Sequence, residues 1–220
     1  MKKKVIITGS SGMVGKGVLL ECLESEKIEN ILVVNRNSIN MQHPKLKEVL
    51  LKDFTKANTI KAELQGYDAC FYCMGISALG LSEETYTKIT FDTVAAFANV
   101  LYELDSTMVF NYVSGQGINE EGSSMWARVK GKTENLVFEK GFKTAFAFRP
   151  GIILPEKGIA SRTNWYQIFY VILRPLFPLM RRLKNITTTT KLGQAMINTL
   201  EAPSGNRIVD NAAINELATG

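Results

Sequence analysis

Val5-Ile6-Ile7-Thr8-Gly9-Ser10-Ser11-Gly12-Met13-Val14-Gly15 is the stretch on which the reading of this chain turns. Three β-branched residues make a short buried strand, and Val14 to Leu23 follow at helical spacing. Gly9, Gly12 and Gly15 punctuate the join as G-x-x-G-x-x-G. A tight turn off a strand needs the first glycine. Close approach of a pyrophosphate to backbone needs the second, and packing of the helix on the sheet needs the third. The unpaired N–H groups and positive end of the helix then hold phosphates. Gly9, Ser11, Gly12, Met13, Val14 and Gly15 are therefore the expected phosphate-binding residues. Gly15-Lys16-Gly17 resembles the end of a P-loop. No Ser or Thr follows Lys16 and position 10 is serine, which argues against phosphate hydrolysis.

Outward from this join, short apolar runs alternate with helical patterns. Strands are expected at Ile31–Val34, Val49–Leu51, Asp68–Cys73, Met108–Val113 and Thr144–Phe148. A weak helix is expected at Thr59–Leu64, a helix start at Ser82 with an apolar stripe over Tyr86–Leu104, and a helix at Ser124–Glu139. Continuously apolar strands alternating with helices predict an α/β fold, a Rossmann-type doubly wound parallel sheet. The alternation breaks after Pro150. Asn164–Met180 is apolar and aromatic, cut by Arg174, Pro175 and Pro178, and so too interrupted to span a bilayer. Residues 151–190 read as a small C-terminal lid on the substrate side. The aromatic and basic stretch 165–184 also fits a peripheral membrane or protein contact. The chain closes with a helix at Lys191–Glu201, a strand at Arg207–Val209 and a short terminal helix. Residues 1–220 are read as one domain.

Composition narrows the function. Forty-five per cent of residues are apolar and 21% charged, which excludes a disordered chain. Cys22, Cys70 and Cys73 cannot build a disulfide framework. Cys70 and Cys73 lie three apart on an expected strand and so on opposite faces. With one histidine, His43, beside Pro44 in an expected loop, no metal site and no Ser-His-Asp triad is expected. Only four residues separate Lys4 from Gly9, too short for a secretory leader, and the expected location is the cytoplasm. A net charge of +5 suits an anionic ligand, and no nucleic-acid partner is expected.

The end of the second expected strand selects the nucleotide. A carboxylate there binds the ribose 2′-hydroxyl of NAD, but this chain has Asn35-Arg36-Asn37. The forked donors of Arg36 match a 2′-phosphate, so NADP is expected ahead of NAD. Asp53-Phe54, after the third strand, is placed to meet the adenine ring.

The glycine loop, Asn35-Arg36, Cys73-Met74-Gly75, Ser114, Lys130 and Arg149-Pro150-Gly151 together resemble the short-chain dehydrogenase/reductase superfamily. More narrowly they resemble its atypical branch of Tat-interacting oxidoreductase-like and epimerase-type NAD(P)-binding proteins. The resemblance covers nearly the whole chain. It implies that Ser114 polarises a substrate carbonyl and that Lys130 binds the nicotinamide ribose. It also implies that Met74, Gly75, Pro150 and Gly151 line the cofactor, and that helices 83–104 and 124–140 pair in a homodimer. The tyrosine expected four residues before Lys130 is Trp126. Indole has no titratable proton in this range and cannot replace a phenol as general acid. Tyr72, Tyr86, Tyr112 and Tyr166 lack a lysine at the right spacing. Trp126 itself reads either as core packing or as an aromatic platform over the substrate. Two functions follow: an NADP-dependent oxidoreductase on a small carbonyl or alcohol, or a cofactor-binding regulator or assembly protein without vigorous chemistry.

Overall fold

Strands that are apolar on both faces need cover on both faces. The computed structural model describes residues 1–159, 183, 185–201 and 208–219. In chain order its strands are β1 (Lys3–Thr8), β2 (Ile28–Asn35), β3 (Leu46–Leu50), β4 (Ala69–Tyr72), β5 (Val109–Val113), β6 (Thr144–Arg149), β7 (Ile152–Leu154), β8 (Ile186–Thr188) and β9 (Ile208–Asp210). Seven of them form a parallel sheet in the order β3-β2-β1-β4-β5-β6-β9, and β7 pairs with β8 apart from it. The helices are α1 (Met13–Glu24), α2 (Glu83–Thr87), α3 (Thr93–Leu104), α4 (Met125–Glu139), α5 (Thr189–Asn198) and α6 (Asn211–Leu217). A 3₁₀ segment covers Phe54–Ile60, and a π-helical turn, Lys88–Asp92, joins α2 to α3.

Alternate residues of each strand divide into two cores. Ile6, Leu32, Cys70, Tyr72, Phe110 and Tyr112 pack under Phe54, Phe97, Leu101 and Val137. Val5, Ile7, Val33, Phe71, Phe146 and Phe148 pack under Val18, Leu19, Cys22, Leu192, Met196 and Ile214. The fold is thus the expected doubly wound sheet. Cys70 belongs to the first layer and Cys73 to the second, as the strand period requires.

Several boundaries differ from the sequence reading. The third strand begins at Leu46 rather than Val49, because an edge strand carries polar Lys47 and Glu48 and breaks the apolar run. The expected 59–64 helix is instead the 3₁₀ segment from Phe54, started by the Asp53 carboxylate accepting the Thr55 N–H. β7 and β8, three residues each, are too short to show a period and were not expected. The last strand falls at Ile208–Asp210, one residue later than expected. The aromatic-basic stretch, Trp165 and Tyr166 included, lies outside the described residues apart from Leu183. No helix among the described residues is long and apolar enough to cross a membrane.

Strand order reverses between β1 and β4, so the connections leaving their carboxyl ends run to opposite faces of the sheet. A crevice opens there, between Gly9 and Cys73–Gly75.

Candidate functional site

The glycine loop turns off β1 with Gly9 in the left-handed region, φ +68°. A side chain there would also strike the Met74 backbone, whose N–H donates to Thr8 Oγ1 at 3.2 Å. Gly12 donates its N–H to the Gly9 carbonyl at 2.9 Å and opens α1. A Cβ on Gly15 would stand 2.3 Å from that same carbonyl, so Gly15 lets the helix close onto the loop. A Cβ on Gly12 would meet nothing but the Gly9 carbonyl, at 3.4 Å, because this position faces the crevice. No side chain caps α1 and its first turn holds no acid, as is also true of α4, whereas α2, α5 and α6 are capped by Ser82, Thr188 and Asp210; α1 differs from α4 in opening directly from the glycine loop into the crevice. The first N–H groups of α1 have no side-chain acceptor.

Two adjoining cavities occupy the crevice. The first, about 240 Å³, is lined by Gly9, Ser11, Gly12, Met13, Asn35, Arg36, Phe54, Cys73, Met74 and Gly75. The second, about 230 Å³, shares Arg36, Phe54 and Met74 and adds Lys52, Asp53, Thr55, Ile76, Lys88, Ile89 and Thr93. Arg36 stands in the wall common to both and makes no hydrogen bond or ion pair with another described residue. Asn35 lies behind, its amide donating to Ser10 Oγ at 2.8 Å and fixing the loop. Val14 and Gly15 line neither cavity: Val14 packs against the core and Gly15 against the loop backbone. The Asp53 carboxylate accepts the Thr55 N–H and hydroxyl at 3.0 and 2.6 Å. These bonds hold its pKa below the usual value.

At the exit of β5 the structure brings Ser114 and Lys130 together. The Lys130 ammonium donates to the Ser114 backbone carbonyl at 2.7 Å. The Ser114 hydroxyl is buried and has no hydrogen-bond partner among the described residues. Burial lowers the Lys130 pKa to about 8, against a raising influence from Glu134 one turn further along α4. Glu134 is 2% exposed and is held by Arg149, whose Nε lies 3.1 Å from both carboxylate oxygens. That pair ties the α4 segment carrying Lys130 to the end of β6. Trp126, one turn before Lys130, is 37% exposed and sits against Gly117, so it is not core packing. The turn after β6 closes on itself and on its neighbours. Pro150 accepts the Gln116 N–H at 3.2 Å, and the Gly151 N–H donates to Asn211 Oδ1 at 3.1 Å. The resemblance implied a cofactor contact at Gly151; its N–H is already engaged, and neither residue is in the walls of the two cavities.

The sequence model of the NAD dependent epimerase/dehydratase family matches residues 5–125, more than half of the chain. This chain belongs to that family. It is 26% identical to Protein HTATIP2 of Rattus norvegicus over 98% of its own length and 89% of the relative's. Its fold matches that of uronate dehydrogenase from Agrobacterium tumefaciens, with TM-score 0.69 and 17% identity over 96% of this chain and 77% of that one. It also matches the Bordetella bronchiseptica enzyme WbmH, solved in complex with NAD+, with TM-score 0.69 and 15% identity over 94% and 74%.

In this epimerase/dehydratase-family chain Tyr72, Tyr86 and Tyr112 are buried and withdrawn from the crevice. The Tyr72 hydroxyl donates to Thr93 Oγ1 at 2.9 Å inside the core. Burial raises the pKa of Tyr72, Tyr86 and Tyr112. Tyr166 lies outside the described residues. No three His, Cys, Asp or Glu among the described residues are placed to hold a metal ion. Sequence reasoning assigned no role to Asn35, Glu134, Lys52 or Lys88. Glu134 was detectable four residues after Lys130 on a helix. Lys88 was not, because only the packing of the π-helical turn brings it to the crevice.

Proposed function

We propose that this chain binds NADP(H) along the two cavities and acts as an oxidoreductase on a small carbonyl or alcohol, with Trp126 where the proton-donating tyrosine would stand. The observation that carries the reading is the uncapped α1 terminus beside the open Gly12 position, with uncommitted Arg36 in the facing wall. The glycine loop and α1 N–H groups hold the pyrophosphate, Arg36 the 2′-phosphate, and Phe54 and Met74 flank the adenine. The nicotinamide supplies or accepts a hydride when bound. Lys130 donates to the ribose hydroxyls, and Ser114, its hydroxyl unpartnered, polarises a substrate oxygen. A second reading, a cofactor-binding protein with little turnover, is favoured by Trp126. Its N–H stays protonated throughout the working pH range.

Titration with NADPH and NADH, followed by tryptophan quenching, tests the binding. NADPH binds better than NADH. Arg36→Ala weakens NADPH by about tenfold or more, the range of a charge-assisted contact, and barely changes NADH. Equal weakening of both cofactors contradicts the Arg36 assignment.

Lys130 makes cofactor affinity depend on pH. With its pKa lowered to about 8, it carries charge below that pH and loses it above. A cationic Lys130 favours the anionic dinucleotide. NADPH affinity therefore falls between pH 7 and 9.5, with a limiting slope of about tenfold per unit above the free-protein pKa. Lys130→Arg, charged throughout, flattens the profile. A flat profile in the natural protein places Lys130 away from the cofactor.

A further inference from the structure

We propose that Lys52 and Lys88 join Arg36 in a three-sided cationic clamp on the 2′-phosphate of the cofactor, and so set its preference. The inference rests on the NADP reading and extends it to residues of the second cavity.

Chain geometry brings Lys52 there. In the β2–β3 register Asn35 pairs with Leu50, and the Leu51 N–H donates to the Asn35 carbonyl at 2.9 Å. The two chains thus leave the sheet side by side, with Lys52 alongside Arg36 and Asn37. Its ammonium donates to the Asn37 side-chain oxygen at 2.9 Å, a neutral partner that orients the charge without cancelling it. Lys88 enters from the opposite wall, on the π-helical turn. Its backbone N–H caps α2 on the Glu84 and Thr85 carbonyls, while its ammonium makes no hydrogen bond or close ion pair with another described residue and acts on Asp53 only at longer range.

Some cations elsewhere on the described surface are paired, Lys3 with Asp68, Lys61 with Glu103, Arg128 with Glu83 and Lys157 with Glu21 and Glu24, and others such as Lys47 and Lys132 stand singly; what sets this cavity apart is that three cations line one concave site. In this cavity three cations face one carboxylate, Asp53, which is itself engaged by Thr55. Three minus one leaves a surplus of two positive charges. A phosphate monoester carries about −1.5 to −2 at neutral pH. A cleft walled by one sign of charge also concentrates an anion of the other. The pyrophosphate has its own site at the glycine loop, so a dinucleotide lacking the 2′-phosphate gives these lysines nothing to neutralise.

The test is calorimetric titration of the full chain with 2′,5′-ADP, 3′,5′-ADP and 5′-AMP, beside NADPH and NADH. The natural protein prefers 2′,5′-ADP to both other fragments. Lys52→Gln and Lys88→Gln each lower 2′,5′-ADP affinity about five- to tenfold and leave 5′-AMP unchanged. The double variant loses most of the preference, and the thermal midpoints show that the variants stay folded. A preference for NADPH that survives both substitutions overturns the clamp and leaves the NADP reading standing. Loss of 5′-AMP binding in parallel with 2′,5′-ADP also overturns it, because the lysines would then hold a different part of the nucleotide. A natural protein that binds NADH as well as NADPH overturns both readings.

Discussion

Gly12→Val abolishes NADPH binding and leaves the protein folded. Gly12 has φ −86° and ψ 167°, an extended conformation that any residue adopts, so no backbone strain follows. Its Cβ meets only the Gly9 carbonyl at 3.4 Å, and the branched methyls project into the first cavity. There they occupy the space in which a pyrophosphate contacts backbone N–H groups. At Gly15 the result is the opposite. A Cβ 2.3 Å from the Gly9 carbonyl and 2.9 Å from the Ser10 nitrogen has nowhere to go, since both neighbours are backbone. Gly15→Ala therefore costs about 1–3 kcal/mol of stability, as overpacking does, and weakens binding by distorting the loop. Thermal melts and cofactor titration of both variants separate the two effects. A Gly12→Val protein that binds NADPH normally removes the phosphates from this loop.

Trp126→Tyr raises carbonyl reduction from a weak or undetectable rate. Trp126 lies on the first turn of α4, one turn before Lys130, and is exposed enough for a smaller ring to replace it without opening the core. A phenol there has an ordinary pKa near 10, and the Lys130 ammonium brings it toward neutrality. Lys130 is already anchored on the Ser114 carbonyl, so the charge needed to activate a phenol is in place. General acid assistance is worth about a hundred- to ten-thousandfold. NADPH consumption against a panel of aldehydes and ketones measures the gain, which Ser114→Ala or Lys130→Ala removes. Brisk turnover of the natural protein that persists in both alanine variants places the chemistry elsewhere.

The sheet was legible in the sequence because its central strands are apolar on both faces, and a run of Val, Ile and Phe needs no tertiary context to be recognised. The same holds for the glycine loop, where spacing, strand and helix start coincide within eleven residues. Ser114 and Lys130 were identified through a family resemblance. Their contact, through a backbone carbonyl rather than the serine hydroxyl, depends on where α4 settles against β5.

What only the tertiary structure decided concerns groups distant in sequence. Arg149 on Glu134, Asn211 on Gly151 and Asn35 on Ser10 are partners 15, 60 and 25 residues apart. No local pattern marks such pairs. The first half of edge strand β3, Leu46 to Glu48, eluded the apolar reading because one polar face suffices at the rim of a sheet. Lys52 and Lys88 lie 36 positions apart along the chain and no local pattern joins them. They become two walls of one cavity only when β3 lies beside β2 and the turn before α3 folds over the carboxyl end of the sheet. Periodicity and glycine spacing are short-range consequences of backbone geometry and are written in the sequence. The convergence of uncompensated charge follows from strand order and register, which hydrophobic burial selects for the chain as a whole.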